Sequence, residues 1–295
     1  MGIQIYIDGS YYSKENAKIS VFDHGFLYGD GVFEGIRAYN GRIFKLREHT
    51  ERLYESARHI LLQIPLSMEE LEDATLDAVR KNNLRDAYIR TVVSRGVGDL
   101  GLDPQKCSRA TVVIIADKIS LYPQEYYDQG LEVTTAVTRQ RNANSMEPRI
   151  KSLNYLNNIL VKTEATHAGV MEAIVLNDQG YVVEGSGCNV FIVTKNGELI
   201  TPPSYLGILE GITRNTVIEL AREIGLTVKE NPFTRHDLYI ARECFLTGTA
   251  AELIPVTSID KRIVAEGTPG PVTKNLQEKF HHYTQNNGTP VYPGE

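Results

Sequence analysis

Apolar and polar residues alternate through Ile3-Gln-Ile-Tyr-Ile-Asp8, which predicts a strand closing on a hairpin turn at Asp8-Gly9. A second turn at Asn40-Gly41 leads into strand-like GRIFKL. The period then changes to that of a helix over about Leu46 to Leu61, with Leu53, Ala57 and Ile60 on its buried face. Another helix is predicted to begin at Ser67, with Glu70 completing a capping box and Leu71, Ala74, Ala78 and Val79 turned inward. AYIRTVVS and ATVVIIAD are β-branched runs that read as buried strands.

From Lys118 to Gly130 the chain becomes polar and tyrosine-rich around Pro123, as expected of a connection between domains. Beyond it, MEAIVLND, a turn at Gln179-Gly180, YVVEG, NVFIVTK, a turn at Asn196-Gly197 and ELITP predict a run of hairpins. A helix follows from about Thr213 to Ile224, stopped by Gly225; Thr234 caps a further helical turn. ECFLTG reads as a strand, PVTKNLQEKFHHY as a final helix, and NNGTPVYPGE as a loose tail. The pattern as a whole is α+β, with expected domains at 1–117 and 131–295 joined by 118–130.

One stretch does not resolve. In RIKSLNYLNN the residues Leu153, Leu156, Ile159 and Leu160 fall at helical spacing, predicting a helix with its apolar face inward and Ser152 as its N-cap. Lys151 then stands at the mouth of a packed helix. It is either one surface lysine among many or a desolvated amine able to act as a nucleophile, and position alone leaves both readings open.

Composition narrows the function classes. A formal charge of -6 and a pI of about 5.7 give no basic footprint for nucleic acid or for an anionic membrane surface. No apolar run approaches a membrane span, and MGIQIYIDGS lacks the features of a secretory leader. Cys107, Cys188 and Cys244 are widely spaced and odd in number, as expected of reduced thiols in a cytoplasmic protein with no disulfide framework and no metal site.

Several signatures nearly match and fail. Gly29-Asp-Gly31 continues with Gly35 and misses the dinucleotide fingerprint; Ile212 replaces the lysine of a phosphate loop; Glu184 replaces the first glycine of a nucleophile elbow. His281-His282 cannot share a metal from one helix. Two glycine-bearing loops survive, Leu209–Thr213 and Thr247–Ala251. Both are expected to precede helical segments and to offer N–H groups to an anion, although a tight turn explains either equally well. With an isolated lysine they suggest a phosphorylated cofactor.

Lys151-Ser-Leu-Asn-Tyr-Leu156, Glu184-Gly-Ser-Gly-Cys-Asn-Val-Phe191, Gly211-Ile-Thr-Arg214 and Gly248-Thr-Ala-Ala-Glu252 occur in this order. Together they resemble the fold-type IV pyridoxal 5'-phosphate (PLP) aminotransferases, most closely the branched-chain amino acid aminotransferases. The resemblance runs from SVFDHGFLYGDGVFEGIR to GTAAELIPV. It implies a small N-terminal α/β domain and a larger C-terminal domain with a β-barrel-like core flanked by helices. Lys151 matches the lysine that bonds covalently to PLP and moves a proton, and Glu184 the carboxylate beside the pyridine nitrogen. Tyr155, expected on the same helix face as Lys151, matches the tyrosine at the cofactor's 3′ oxygen. Arg52 matches the phosphate-binding arginine; without the motif it would pair with Glu48 on a helix surface. Leu209, Gly211, Ile212, Thr213 and Thr249 match the rest of the cofactor cup.

For the substrate, Tyr28, Phe33, Gly35, Arg37, Tyr88, Leu100, Leu102 and Tyr122 match the lining of a branched-chain pocket, with Thr249 and Ala250 at the α-carboxylate. Leu100 and Leu102 stand where the D-amino acid branch of the family carries a basic pair, which implies the L-amino acid branch. Arg90 resembles the cation that receives the second carboxylate of 2-oxoglutarate. Cys188 reads as packing variation. The resemblance further implies at least a homodimer, possible hexamers included, whose neighbouring loops close the pocket. Transamination of L-leucine, L-isoleucine and L-valine with 2-oxoglutarate is therefore expected. The alternatives are a D-amino acid or (R)-amine transaminase on the same fold, or a binding protein with Lys151 and Glu184 idle.

Overall fold

The computed structural model describes residues 2–119, 121–292 and 294; the parts of the expected linker and tail on Ser120, Pro293 and Glu295 lie outside the described residues, as does Met1. The chain divides into two compact units. One comprises Met1–Ile119, Ile150–Asn154 and Thr284–Glu295, the other Ser120–Arg149 and Tyr155–Tyr283.

The first unit contains β1 (Gln4–Ile7), β2 (Ser10–Ser13), α1 (His24–Tyr28), β3 (Gly31–Tyr39), β4 (Arg42–Ile43), α2 (Leu46–His59), α3 (Met68–Lys81), β5 (Ala87–Ser94) and β6 (Thr111–Asp117). A last short strand, Thr289–Pro290 (β16), completes an antiparallel sheet ordered β16-β4-β3-β5-β6-β1-β2. Asp8-Gly9 and Asn40-Gly41 form the expected two-residue turns, so that Ile7 faces Ser10 and Tyr39 faces Arg42. Alternate residues Val32, Ile36 and Ala38 of β3 and Ala87, Ile89 and Val93 of β5 join Leu53 and Ala57 of α2 and Leu71, Ala78 and Val79 of α3 in one core. The Ser67 capping box with Glu70 is present. The GRIFKL strand is only Arg42–Ile43, because Lys45 turns left-handed (φ 51°) to start α2.

The second unit holds α4 (Gln124–Gln129), β7 (Leu131–Thr135), α5 (Leu156–His167), β8 (Glu172–Leu176), β9 (Val182–Gly185), β10 (Asn189–Val193), β11 (Leu199–Thr201), α6 (Ile212–Glu223), β12 (Val228–Glu230), α7 (Arg235–Tyr239), β13 (Glu243–Gly248), β14 (Glu252–Ile259), β15 (Arg262–Ile263) and α8 (Pro271–Asn286). Six strands close on themselves in the order β10-β13-β14-β7-β8-β9, since β9 returns to pair with β10 at Glu184–Asn189. Residues two apart on these strands, among them Leu131 and Val133, Ile174 and Leu176, Val190 and Ile192, and Leu246, Ile254 and Val256, form one core. Closure leaves the barrel without exposed edges. On the other face Val161 and Ala165 of α5 pack with Ala173, Val175 and Val183, and α6 packs against β13.

Several expectations change. The helix in RIKSLNYLNN begins at Leu156, with Tyr155 and not Ser152 as N-cap, because Lys151 and Ser152 are extended and Ser152 bridges Val32. Its Leu156, Ile159 and Leu160 are exposed, and the helix is buried instead through the small residues facing β8. Lys151 and Tyr155 consequently share no helix face. The 118–130 connection includes a helix, α4, and buries Tyr122 in the barrel core. The tail is also not loose: Val291 is buried, its N–H donates to Gly41 O (2.8 Å), and Arg80 Nε donates to its carbonyl (2.5 Å). Finally, Thr247–Ala251 leads into strand β14 rather than a helix.

Candidate active site

In the first unit, Lys151 lies on an extended stretch laid along the start of β3. Phe33 N–H donates to Lys151 O (3.0 Å), Leu153 N–H to Gly31 O (2.9 Å), and Lys151 N–H to Ser56 Oγ on α2 (3.2 Å). The main chain is thus pinned on both sides, while the side chain passes the Phe33 ring with Nζ 4.9 Å from its centroid.

Arg52 does not pair with Glu48. Its Nε and Nη2 donate to Glu34 Oε1 and Oε2 (2.7 and 2.9 Å), and His49 Nδ1 meets Glu34 Oε2 at 2.8 Å. Glu34 and His49 side chains are each 1% exposed. Burial by itself would raise the Glu34 carboxyl, but the Arg52 guanidinium and His49 outweigh it and hold the group well below the usual carboxylate range. Burial pushes His49 below its ordinary value.

The face of β3 and β5 opposite the core collects five of the expected substrate residues. Register pairs Gly35 with Arg90 and Arg37 with Tyr88, so Phe33, Gly35, Arg37, Tyr88 and Arg90 share a side. Arg90 Cζ stands 4.5 Å from the Phe33 centroid and 5.6 Å from that of Tyr88, a cation held between rings. A Cβ at position 35 would run into the Tyr88 hydroxyl, so any larger residue there would have to displace that ring. Tyr28 ends α1 and packs edge-on to His24 (5.1 Å), whose Nε2 meets Asp99 O at 2.8 Å. Leu100 and Leu102, 74% and 80% exposed in the loop after β5, do not join this face.

In the second unit, Glu184 ends up buried on β9. Its Oε1 accepts from Gln140 Nε2 (2.5 Å) and its Oε2 from the Leu209 N–H (3.1 Å). Gln140 Nε2 also donates to Gly207 O (2.9 Å), and Asn189 Nδ2 to Leu209 O (2.8 Å), so the loop entering α6 is strapped to the barrel at three points. Gly211 is the N-cap of α6, without a side-chain cap and without an acidic residue in the first turn. A Cβ there would collide with Asn189 Oδ1. The N–H groups of Ile212 and Thr213 therefore open a helix whose dipole favours an anion. Thr249 and Ala250 occupy the β13–β14 turn. Tyr122 is packed inside the barrel core; burial, then Cys188 and Glu172, push its hydroxyl far up. Cys188 is buried too, its thiol raised by burial and by Glu172, as for a packing cysteine rather than a reactive one.

Sequence reasoning missed Glu34, His49, Ser56, Gln140 and Asn189. Glu34 carried a signal: in GVFEGIRAY it keeps phase with Val32 and Ile36, so a carboxylate was due on the core face. His49 and Ser56 likewise fall in phase with Leu46 and Leu53 on α2. Gln140, in an irregular segment, carried none. Among the described residues no group of three or more His, Cys, Asp or Glu could hold a metal ion, and no helix is long and apolar enough to cross a membrane.

The first unit thus offers a lysine and a clamped guanidinium, and the second a buried carboxylate and an uncapped helix start. Residues 31–259 match the amino-transferase class IV family, and the chain belongs to it. A Methanocaldococcus jannaschii protein provisionally named a branched-chain-amino-acid aminotransferase is 52% identical over 290 residues, 98% of this chain and 99% of its own. The Escherichia coli branched-chain amino acid aminotransferase structure superposes with a TM-score of 0.94 at 37% identity, covering 99% of this chain and 98% of that one. The Thermobaculum terrenum branched-chain amino acid aminotransferase, solved in its PLP-bound holo form, gives 0.89 at 34% identity over 99% of each chain.

Proposed function

We propose that the protein is a PLP-dependent transaminase of L-leucine, L-isoleucine and L-valine that uses 2-oxoglutarate as amino acceptor. The donors that each unit offers fit that cofactor in kind: in the first, an amine for its aldehyde and Arg52 for its phosphate; in the second, the α6 N-terminus for the phosphate and a buried carboxylate for its ring nitrogen. When bound, PLP carries the amino group and withdraws electrons from the substrate Cα.

The chain's residues do the rest. Lys151 would hold the cofactor covalently through its amine, and the same amine, when free, would carry the proton taken from the substrate Cα. Glu184 would keep the ring nitrogen protonated; Gln140 and Leu209 N–H hold its carboxylate in place. Arg52, the Ile212 and Thr213 N–H groups and Thr249 bind phosphate, Leu209 and Gly211 shaping that loop. Tyr155 would serve the cofactor's 3′ oxygen. Phe33, Gly35 and Tyr88 with Tyr28 form the apolar surface for a branched side chain, and Thr249-Ala250 receives the α-carboxylate. Arg37 and Tyr122 serve this pocket from its margins. We infer a homo-oligomer, at least a dimer, in which a neighbouring copy covers the exposed Leu100 and Leu102.

The observation that carries the substrate reading is Arg90 held over Phe33 and Tyr88. A face that sets the Phe33 and Tyr88 rings around the Arg90 cation, with Arg37 further along β3, suits both a branched aliphatic chain and the distal carboxylate of 2-oxoglutarate. Arg90→Ala is expected to lower kcat/KM for 2-oxoglutarate and L-glutamate by about 10- to 100-fold, the loss of a charge-assisted hydrogen bond. L-Leucine should fall much less. Equal losses for all three would make Arg90 structural. Conversion of the bound cofactor to its amine form by L-leucine, and not by D-alanine or an (R)-amine, is the direct test of the substrate class. The opposite preference would overturn it.

A further inference from the structure

Resting on the reading that Arg52 holds the cofactor phosphate, we propose that Glu34 and His49 are positioning residues. They fix the direction in which Arg52 is presented, and so set affinity for the cofactor's phosphate rather than for its ring.

The geometry is that of a clamp. Glu34 lies at the middle of β3, on the core face with Val32 and Ile36, where a carboxylate is costly unless fully paired. Two parallel bonds from Nε and Nη2 (2.7 and 2.9 Å) lock the plane and the rotation of the guanidinium. His49 then locks the carboxylate from the other side at 2.8 Å. An ionised carboxylate has no proton to give, so Nδ1 of His49 must carry one. Burial disfavours a second proton on the ring.

The charges explain why direction matters. A neutral His49 leaves Glu34 to offset Arg52, so the trio presents aimed N–H groups more than net positive charge. Stability does not account for such a cluster, because a buried ion pair is commonly matched or bettered by apolar residues of the same volume. Function does. Arg52 and Ser56 lie one turn apart on α2, and Ser56 accepts from the Lys151 N–H (3.2 Å), while β3 holds Lys151 O through Phe33 N–H (3.0 Å). The same helix and strand thus carry the phosphate donor and hold the main chain of Lys151, and the Glu34 clamp joins the two elements between these points.

The test compares dissociation constants of the apoprotein for PLP and for pyridoxal, which lacks the phosphate, read from the visible absorbance of the bound cofactor. Glu34→Gln and His49→Leu should each weaken PLP by about tenfold or more and leave pyridoxal within about twofold. His49→Asn, which keeps an N–H near the Nδ1 position, should stay close to wild type. Equal loss of both ligands would mean a merely structural role, and unchanged or tighter PLP would mean that net charge outweighs direction; either overturns the proposal. If Glu34→Gln does not fold, the His49→Leu and His49→Asn pair decides. Arg52→Ala separates the layers. If it fails to discriminate PLP from pyridoxal, the phosphate reading itself falls. If it discriminates and the Glu34 and His49 variants do not, only the positioning role is lost.

Discussion

Lys151→Ala is expected to lower kcat by about 10⁴-fold or more, since one group then disappears both as the covalent anchor and as the proton carrier. The loss should come without unfolding. What binds this segment to the first unit is main chain: the Ser152–Val32 bridge, Phe33 N–H on Lys151 O, Leu153 N–H on Gly31 O and Lys151 N–H on Ser56 Oγ. None of these uses the lysine side chain, whose passage near the Phe33 ring is a separate and weaker contact. With those main-chain bonds kept, the midpoint of urea unfolding should move by no more than about 1 kcal/mol in equivalent stability, the common size of a single-substitution effect. PLP should still associate through Arg52 and the α6 loop but without the absorbance of a lysine-bound cofactor. A variant retaining a tenth of wild-type turnover would show that the chemistry does not run through this amine.

The placement of Lys151 is also where sequence and structure part. Helical spacing of Leu153, Leu156, Ile159 and Leu160 suggested a helix packed by that face, and the spacing is real from Leu156 onward. The periodicity could not say that Ser152 is claimed by Val32, nor that Val161 and Ala165 make the packed side while the leucines stay exposed. Local signals did well wherever the cause was local: the Asp8-Gly9 and Asn40-Gly41 turns, the Ser67 box, the Gly225 stop and the Thr234 cap all depend on residues within a few positions. They failed where a partner is distant, as for Val291 returning to Gly41. The site follows the same division. Motif residues Lys151, Glu184 and Gly211 were legible, whereas Gln140 and His49 matter only through side chains that the fold brings to them.

Glu184 carries the second large effect. Glu184→Gln should lower kcat by about 10²- to 10³-fold, the range for removing one preorganised electrostatic group. The argument is one of donors and acceptors. A carboxylate only accepts, and Glu184 already accepts from Gln140 Nε2 at 2.5 Å and from the Leu209 N–H at 3.1 Å while being buried. A glutamine has one acceptor oxygen and an NH2 group that must point somewhere. Turned toward Gln140 or toward Leu209 it sets donor against donor and loosens the loop that leads into α6. Turned toward the cofactor nitrogen it can no longer keep that nitrogen protonated. The two costs can be separated. Gln140→Leu removes a strap on Gly207 and Glu184 but leaves the carboxylate, so it should raise the PLP dissociation constant several-fold, about 1 kcal/mol, with a smaller change in kcat. Glu184→Gln should do the reverse, with kcat falling far more than cofactor affinity. Equal kcat in wild type and Glu184→Gln, measured at saturating PLP, would remove the carboxylate from the chemistry and leave it as a fastener for the loop.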